Sequence, residues 1–483
     1  MLVVYGVHMK SSLTLGLLAG AASLLGTAPG STQSPTVGTL CATAVTVRDA
    51  EHCIRSEPPR AVRSIEPAHV YALPELIDIA ELNSPDGRIA WANAKSFMEK
   101  AGIARSAYLP ILAFAAEGSD VRAIVPFPKP LAPRGYVTVE QPIANAQLEL
   151  EYTLFQFARQ PRLAAAHAAE VAATLRLGRQ QQQIAYNVTT LYYRSQLEAG
   201  RLTAAQTILH DAETLRDNAQ AQFDNGRATL PDLQNARAGV AEAQFSLAAA
   251  QGAVSKAHLA LAETIGVEPT TEIQVQPQPA DITAEAIAPQ VEALIHTAWQ
   301  ARPDLLARAE DLKRAGENAR IARSAFLPSA RLSLTGGQTA TWPTTDFGQL
   351  GAANVTTWSA ALSFKWEIFN AARQHEVAEA RLEQRAAAEE QRATLDKVTR
   401  EVWQAYVDYQ TAAEQQRSAQ AFLASAQLSY DSSLDAFQYG VRSLVDVVQA
   451  ERQLAQARLA AVDAASQLNL SAATLTFSLG AQP

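Results

Sequence analysis

The chain is 483 residues long and 18% charged, with a net charge of -8 and a mean hydropathy of -0.07. That balance excludes a low-complexity or collagen-like protein, and a pI near 5.6 without any basic cluster interleaved with aromatics offers nothing to a nucleic acid. Beyond the N-terminus no stretch holds the ~18 uninterrupted apolar residues that a spanning helix requires, so a helical membrane protein is excluded too.

Residues 1–30 read as an export signal. Lys10 precedes a mostly apolar run from Leu13 to Leu25, too short for a stable anchor, and cleavage after Gly30 sets Ala28 at the -3 position. Met9 is then the candidate start. Residues 31–70 form a Pro/Ser/Thr-rich extension that carries both cysteines, Cys41 and Cys53. In an oxidising compartment these could close a small loop worth ~3 kcal/mol, and neither follows the Leu-small-small pattern of lipid attachment.

Helical periodicity begins at Leu73 and runs to Ala107, with Ser84, Pro85 and Asp86 opening a second helix from Arg88 to Arg105. The block ends on Ile103–Pro110, IARSAYLP. The same octet returns at Ile321–Pro328 as IARSAFLP, preceded by Pro303 and Asp304 in the places of Pro85 and Asp86. The chain is therefore an internal duplication, 71–267 and 291–483, joined by a Pro-rich linker at 268–290.

After each octet the period changes to two. Ala144, Ala146, Leu148, Leu150, Tyr152 and Leu154 alternate with polar residues, as do Trp358, Ala360, Leu362, Phe364, Trp366 and Ile368 within Thr357–Phe369. Shorter strands are predicted at Ile111–Glu117 and Ala330–Thr335, with surface loops at Ser119–Tyr136 and Gly336–Thr356. Each repeat thus supplies a hairpin. A closed membrane barrel needs at least about eight strands and one chain has four, so several chains must share a barrel. A half-buried sheet laid on helices would show the same alternation.

Two helical stretches follow, Pro161–Phe223 and Ala371–Phe437, each ~95 to 100 Å long at 1.5 Å per residue. In the second, positions 395, 398, 402, 405, 409, 412, 416, 419, 423, 426, 430, 433 and 437 form a heptad seam broken only by Gln416 and Ser433. Trp403 and Tyr406 widen that face, as a helix with neighbours on two sides requires. Each stretch ends in a turn, Gly226–Arg237 (GRATLPDLQNAR) or Gly440–Glu451 (GVRSLVDVVQAE), before a return helix of ~35 residues. Gly226 and Gly440 suit a left-handed cap. Thr229 with Asp232, and Ser443 with Asp446, have capping-box spacing.

No enzyme, cofactor or metal signature appears. The 8 histidines are scattered, and His375–Glu376 reads as a solvated helix face. Asp232 and Asp446 serve as caps, and wherever several hairpins converge on an axis they also form a ring of negative charge. Arg442 is spaced to reach a carboxylate on a neighbouring hairpin, an exposed pair worth only ~0 to 1 kcal/mol.

The duplicated unit, the two octets, the Trp366–Phe369 strand end and the paired tips resemble the TolC-like outer-membrane efflux channel family over nearly all of 73–480. The resemblance implies an α+β membrane protein: two long helical hairpins of a periplasmic α-barrel, plus four transmembrane strands supplying one third of a 12-stranded β-barrel. It implies a homotrimer in outer-membrane lipid, with a helical tube in the periplasm. The partners it implies are a periplasmic adaptor protein and an inner-membrane pump of the RND, ABC or MFS class. By position, Asp446 resembles the entrance-constricting aspartate, Arg442 the gate arginine and Asp232 its acceptor; Gly226, Leu230, Gly440, Ser443 and Leu444 resemble the adaptor-docking tips. Gln449 stands where some members carry a second aspartate, and Phe437 where a tyrosine hydroxyl links helices. Pro231 replaces a hydrogen-bonding residue beside Asp232, and Ala371 and Ala372 replace the glycine common after the strand-end aromatic. The departures predict a constriction with fewer latches. The implied function is a passive exit duct for tripartite efflux or type I secretion, with no reaction of its own; the rival is a periplasmic coiled-coil scaffold or adaptor without a pore.

Overall fold

The computed structural model describes residues 65–66, 69–271, 273–276, 290–439 and 441–482. The signal segment, both cysteines, most of the linker and Gly440 lie outside them.

A two-residue strand, β1 (Val70–Tyr71), leads into α1 (Leu73–Asn83) and α2 (Pro85–Ser106). Ser84 separates the helices because its extended backbone cannot continue the first and its hydroxyl accepts from Gly87 N at 3.3 Å to cap the second. Next come β2 (Ile111–Pro126), β3 (Tyr136–Gln156), α3 (Arg159–Asp224) and α4 (Leu230–Ile265). The second repeat follows β4 (Gln274–Val275), which pairs in parallel with β1. It comprises α5 (Val291–Ala301), α6 (Pro303–Ser324), β5 (Ser329–Thr341), β6 (Thr344–Thr345), β7 (Gly348–Gln349), β8 (Ala353–Lys365), α7 (Ala372–Gln438) and α8 (Leu444–Ser478).

The main sheet runs β2-β3-β5-β8, wholly antiparallel, with the β6–β7 ladder added at the far end of β3. Pairing extends further than local composition predicts. Ser119–Pro126, expected as loop, continues β2 opposite Tyr136–Ile143, and Gly336–Thr341 continues β5 opposite Ile143–Leu148. Cross-strand ladder bonds, which no single segment reveals, override the turn-like Gly and Ser residues. At the other end β8 stops at Lys365, four residues before the expected Phe369. Trp366 instead leaves the ladder, and its indole donates to Phe326 O at 3.0 Å.

The register sorts the two faces. Phe114 lies opposite Leu148, Leu150 opposite Leu334, and Leu332 opposite Leu362, so these side chains share one face. The other face carries Asn145, Gln147, Glu149 and Glu151 alongside Ser333, Thr335 and Thr339, tied by contacts such as Gln147 to Glu149 (2.6 Å) and Arg331 to Glu151 (2.6 Å). No described helix covers the apolar face: Trp358 is 79% exposed and Leu362 69%. The half-buried sheet on a helical layer is thereby ruled out. The apolar face of β3 runs from Ala144 to Leu154, and a tilted strand of about 9 to 11 residues spans the ~25 Å apolar band of a membrane barrel. No described helix is long and apolar enough to cross a membrane.

α3 (66 residues) and α7 (67 residues) run the length of the helical part. α3 packs on α2, α4, α6 and α8, while α7 packs on α5, α6 and α8, so α2 and α6 flank the upper half and α4 and α8 the lower. The heptad seam is realised almost residue for residue: Val398, Val402, Ala405, Tyr409, Ala412, Gln416, Ala419, Ala426, Tyr430, Ser433 and Phe437 are buried. Trp403, by contrast, is 51% exposed, on a face that no described helix of this chain covers. The core is a series of clusters along the helices rather than one centre. The largest gather around α1 (Leu76, Val188, Leu261, Ile265) and above the tips (Leu215, Leu233, Val447, Leu454).

Candidate functional site

Both tips form by the same local chemistry. At the first, Gly226 takes φ +70 past the end of α3, and Gly226 N and Arg227 N donate to the Phe223 and Gln222 carbonyls at 2.9 and 2.8 Å. Thr229 then caps α4: Asp232 Oδ2 accepts from Thr229 N (2.9 Å) and Oγ1 (2.6 Å), and Thr229 Oγ1 accepts from Asp232 N (3.4 Å). At the second, Asp446 Oδ2 accepts from Ser443 Oγ (2.8 Å) and N (3.2 Å), and Ser443 Oγ accepts from Asp446 N (3.4 Å). Hydrogen bonds from the threonine or serine hydroxyl, then from its backbone N–H, hold both carboxyls below the ordinary aspartate range. Both tips therefore stay anionic across the physiological range.

The tips differ in their leucines. Leu230 is 54% exposed, whereas Leu444 is buried against the cluster containing Phe437, Val447 and Leu233. Phe437 is itself buried and Gln449 exposed. Arg442 Nη1 donates to Ser433 Oγ at 3.2 Å, one of the two polar positions on the α7 seam, and its charge helps to lower the Asp446 pKa. The seam break at Ser433 is thus a docking point for the arginine.

Above the tips, α3 and α8 meet along a line of charged contacts that the sequence did not reveal. Arg201 Nε donates to Asp463 Oδ1 at 2.8 Å and Nη1 to Glu198 Oε1 at 3.3 Å. Lower down, Arg458 pairs with Asp211 and donates to Gln427 Oε1 at 3.3 Å. Beside the upper contact Gly200 lies so close to α8 that an added Cβ would sit 2.8 Å from Val462 Cγ1. A cleft of about 590 Å³ opens between α3, α4 and α8, walled by alanines such as Ala205, Ala243 and Ala455 and edged by Glu242, Glu451 and Arg452.

A second network closes the repeat at the upper end. Arg302, fully buried, donates to Asp304 (3.0 and 2.6 Å), Glu401 Oε2 (2.6 Å) and Ser478 O (3.3 Å), tying α6, α7 and the end of α8 together. Burial opposes charge on Asp304, but the Arg302 bonds outweigh it and its pKa falls below the ordinary value. Arg179 lies 3.7 Å from the Phe477 ring centroid, its pKa pulled down to about 10 by burial and then by Arg302. The repeated Pro303–Asp304 pair hinted at this site; its partners on distant helices left no local signal.

Among the described residues no group of three or more His, Cys, Asp or Glu is placed to hold a metal ion. At the tips and between the hairpins the arrangement presents charge and surface.

Comparison with known proteins places these features. A family model described as outer membrane efflux protein matches residues 76–267 and again 294–481, the two repeats. The chain is 28% identical over 426 residues to protein CyaE of Bordetella pertussis, covering 85% of this chain and 84% of that one. It is 26% identical over 282 residues to the cation efflux system protein CusC of Escherichia coli K12, a match spanning 57% of this chain and 59% of CusC. Among solved structures, the outer membrane protein VceC of Vibrio cholerae superposes with a TM-score of 0.71 at 19% identity, over 85% of this chain and 96% of VceC.

Proposed function

Because the chain belongs to the outer membrane efflux protein family, and is accordingly an outer-membrane efflux channel with a periplasmic helical tube, we propose that three copies close one passive exit duct. The observation that supports this most is the pair of free sheet edges. Among the described residues β2 pairs only with β3, and β8 only with β5. β2 runs away from the helices and β8 back toward them, so β8 of one copy continues the antiparallel ladder when laid beside β2 of the next. Two copies would give a barrel of about eight strands, whose interior side chains fill; three give about twelve and leave a lumen. The polar face lines that lumen and the apolar face meets outer-membrane lipid. On the helical side, exposed Trp403, Phe422 and Leu428 on α7 and Phe245 and Leu259 on α4 are the apolar surface that neighbouring copies cover.

In this reading the tips converge at the periplasmic end. Asp446, Asp232 and Arg442 form the constriction, with Gln449 and Phe437 supplying fewer latches than a second aspartate and a tyrosine would. Gly226, Leu230, Gly440 and Ser443 offer the docking surface for a periplasmic adaptor linked to an inner-membrane pump of the RND, ABC or MFS class, with Leu444 supporting that surface from beneath. Cargo is chosen and energy supplied by the pump, and the duct performs no reaction. Relatives named for cation and toluene efflux fit a shared duct serving different pumps. The export signal at 1–30 and the division into repeats 71–267 and 291–483 around the 268–290 linker belong to the same proposal.

The test is fractionation and assembly. The full chain is expected in the outer membrane as a heat-modifiable trimer that crosslinks to an adaptor; a soluble monomer would overturn the reading.

A further inference from the structure

Glu451 is the acidic side chain in the lower helices whose surroundings fit its function least. It sits on α8, half-buried, at the edge of the cleft between α3, α4 and α8, where an ionised carboxylate loses most of its hydration. Every helix packed there presents a charged or titratable group to it. α3 contributes Asp211, already engaged by Arg458; α4 contributes Glu242, 3.8 Å from Arg452; α7 contributes the Tyr430 hydroxyl, itself beside Asp431; α8 itself supplies Arg452 and Arg458. Arg452 and Arg458, which favour its ionised form, are each shared with a neighbouring carboxylate. Some five residues below lies Asp446 at the tip, and about three turns above lies the Gly200–Val462 contact, where α3 and α8 touch too closely for a side chain on residue 200. Between that contact and the tips the two hairpins pack through Leu215, Leu233, Val447 and Leu454, and Glu451 stands beside this cluster at the edge of the cleft.

We propose that Glu451 is a proton-controlled wedge: protonated, it lets α8 close against α3 and α4, and ionised, it is repelled by Asp211 and Glu242 and forces the arms apart below the Gly200–Val462 contact. Burial, then Asp211, pushes its pKa up to about 7, with Arg452 and Arg458 opposing. The sign follows. The closed arrangement holds the proton more tightly than a hydrated, parted one, so it is favoured most at acid pH and loses that advantage as pH rises from the ordinary glutamate value toward 7. Asp446 and Asp232, held below the ordinary range, do not titrate in this window. The tube entrance then widens in neutral medium and narrows in acid.

This inference rests on the reading of the tips as the entrance of a pore, and the test separates the two. Full-length protein reconstituted in planar bilayers is recorded between about pH 5 and pH 8; open probability is expected to rise roughly tenfold or more across that range in the wild type. Glu451→Gln, a permanent mimic of the protonated form, should stay at the acid level throughout. Glu242→Gln, which removes one repelling carboxylate, should keep the response but shift its midpoint to lower pH, and it carries the test if Glu451→Gln fails to assemble. A wild-type response that is flat, or one that survives unchanged in Glu451→Gln or keeps its midpoint in Glu242→Gln, would overturn the wedge while leaving the pore intact. No conductance at any pH would overturn both.

Discussion

Replacing Arg302 by Met keeps most of the side-chain volume and removes the charge at the point where α6, α7 and the end of α8 converge. The wild-type guanidinium is 2% exposed and serves Asp304, Glu401 and a backbone carbonyl at once. Breaking a buried ion pair from one side costs ~3 to 5 kcal/mol because the partners keep their charge without compensation. Here Asp304 is 30% exposed and Glu401 37%, so both regain some water and the lower bound applies, about 3 kcal/mol. Amides of α6 and the last turns of α8 should then exchange hydrogen about 100-fold faster at neutral pH. The pH dependence distinguishes this cause from lost packing. In the wild type the lowered Asp304 pKa contributes stability that is complete above the ordinary aspartate value and is lost as pH falls through the depressed one. In Arg302→Met only Arg179 and the Leu305 N–H still oppose burial, so that pKa rises and the stability it contributed at neutral pH is lost. The gap between the two proteins should be widest near neutrality and narrow in acid. A gap independent of pH, or an exchange change below about twofold at neutrality, would refute the electrostatic account.

Gly337→Ala should block sheet assembly, since an added Cβ would lie 2.2 Å from Ala146 O and 2.5 Å from Gln147 Cα on β3, and backbone cannot yield there; the readout is heat-modifiability after refolding into lipid, and wild-type yield would refute it. Arg442→Ala and Asp446→Asn should each raise single-channel opening if the second tip is the constriction; unchanged opening in both removes that assignment. Leu230→Asp should leave folding intact and abolish adaptor crosslinking, whereas Leu444→Asp should destabilise the lower cluster, costing roughly 2 to 5 kcal/mol in thermal unfolding. Equal effects of the two would contradict the burial difference between them.

What was legible in the chain was what repeats within a few residues. The α7 seam could be read because each buried position is fixed by the one three or four before it, and even its polar exceptions, Gln416 and Ser433, are buried. The two capping boxes were legible for the same reason. Strand ends were not: whether Asp120 or Gly336 belongs to a ladder depends on Pro142 and Leu148 across the sheet, and the partner overrode the local turn signal. The contacts between hairpins were hidden altogether. Arg458 and Asp211, or Arg302 and Glu401, read as ordinary charged residues on helix faces until two helices distant in sequence meet.

The duplication gives the two tips the same caps in different surroundings. Equal capping chemistry gives both a carboxylate held ionised, yet the leucine after each cap differs: Leu444 is buried with Phe437, and Arg442 is held by Ser433 on the same hairpin. The first leaves Leu230 in solvent. A hairpin whose tip is packed into the core moves with its helices as a unit, whereas an exposed leucine on a capped turn gains free energy only by being covered. In the proposed duct the second tip therefore moves with its helices, and Leu230 of the first is the apolar residue left for a docking partner to cover. The Gly200–Val462 contact, fixing α3 to α8 above both, makes any motion of the second tip relative to the first a change in the same cleft that Glu451 faces.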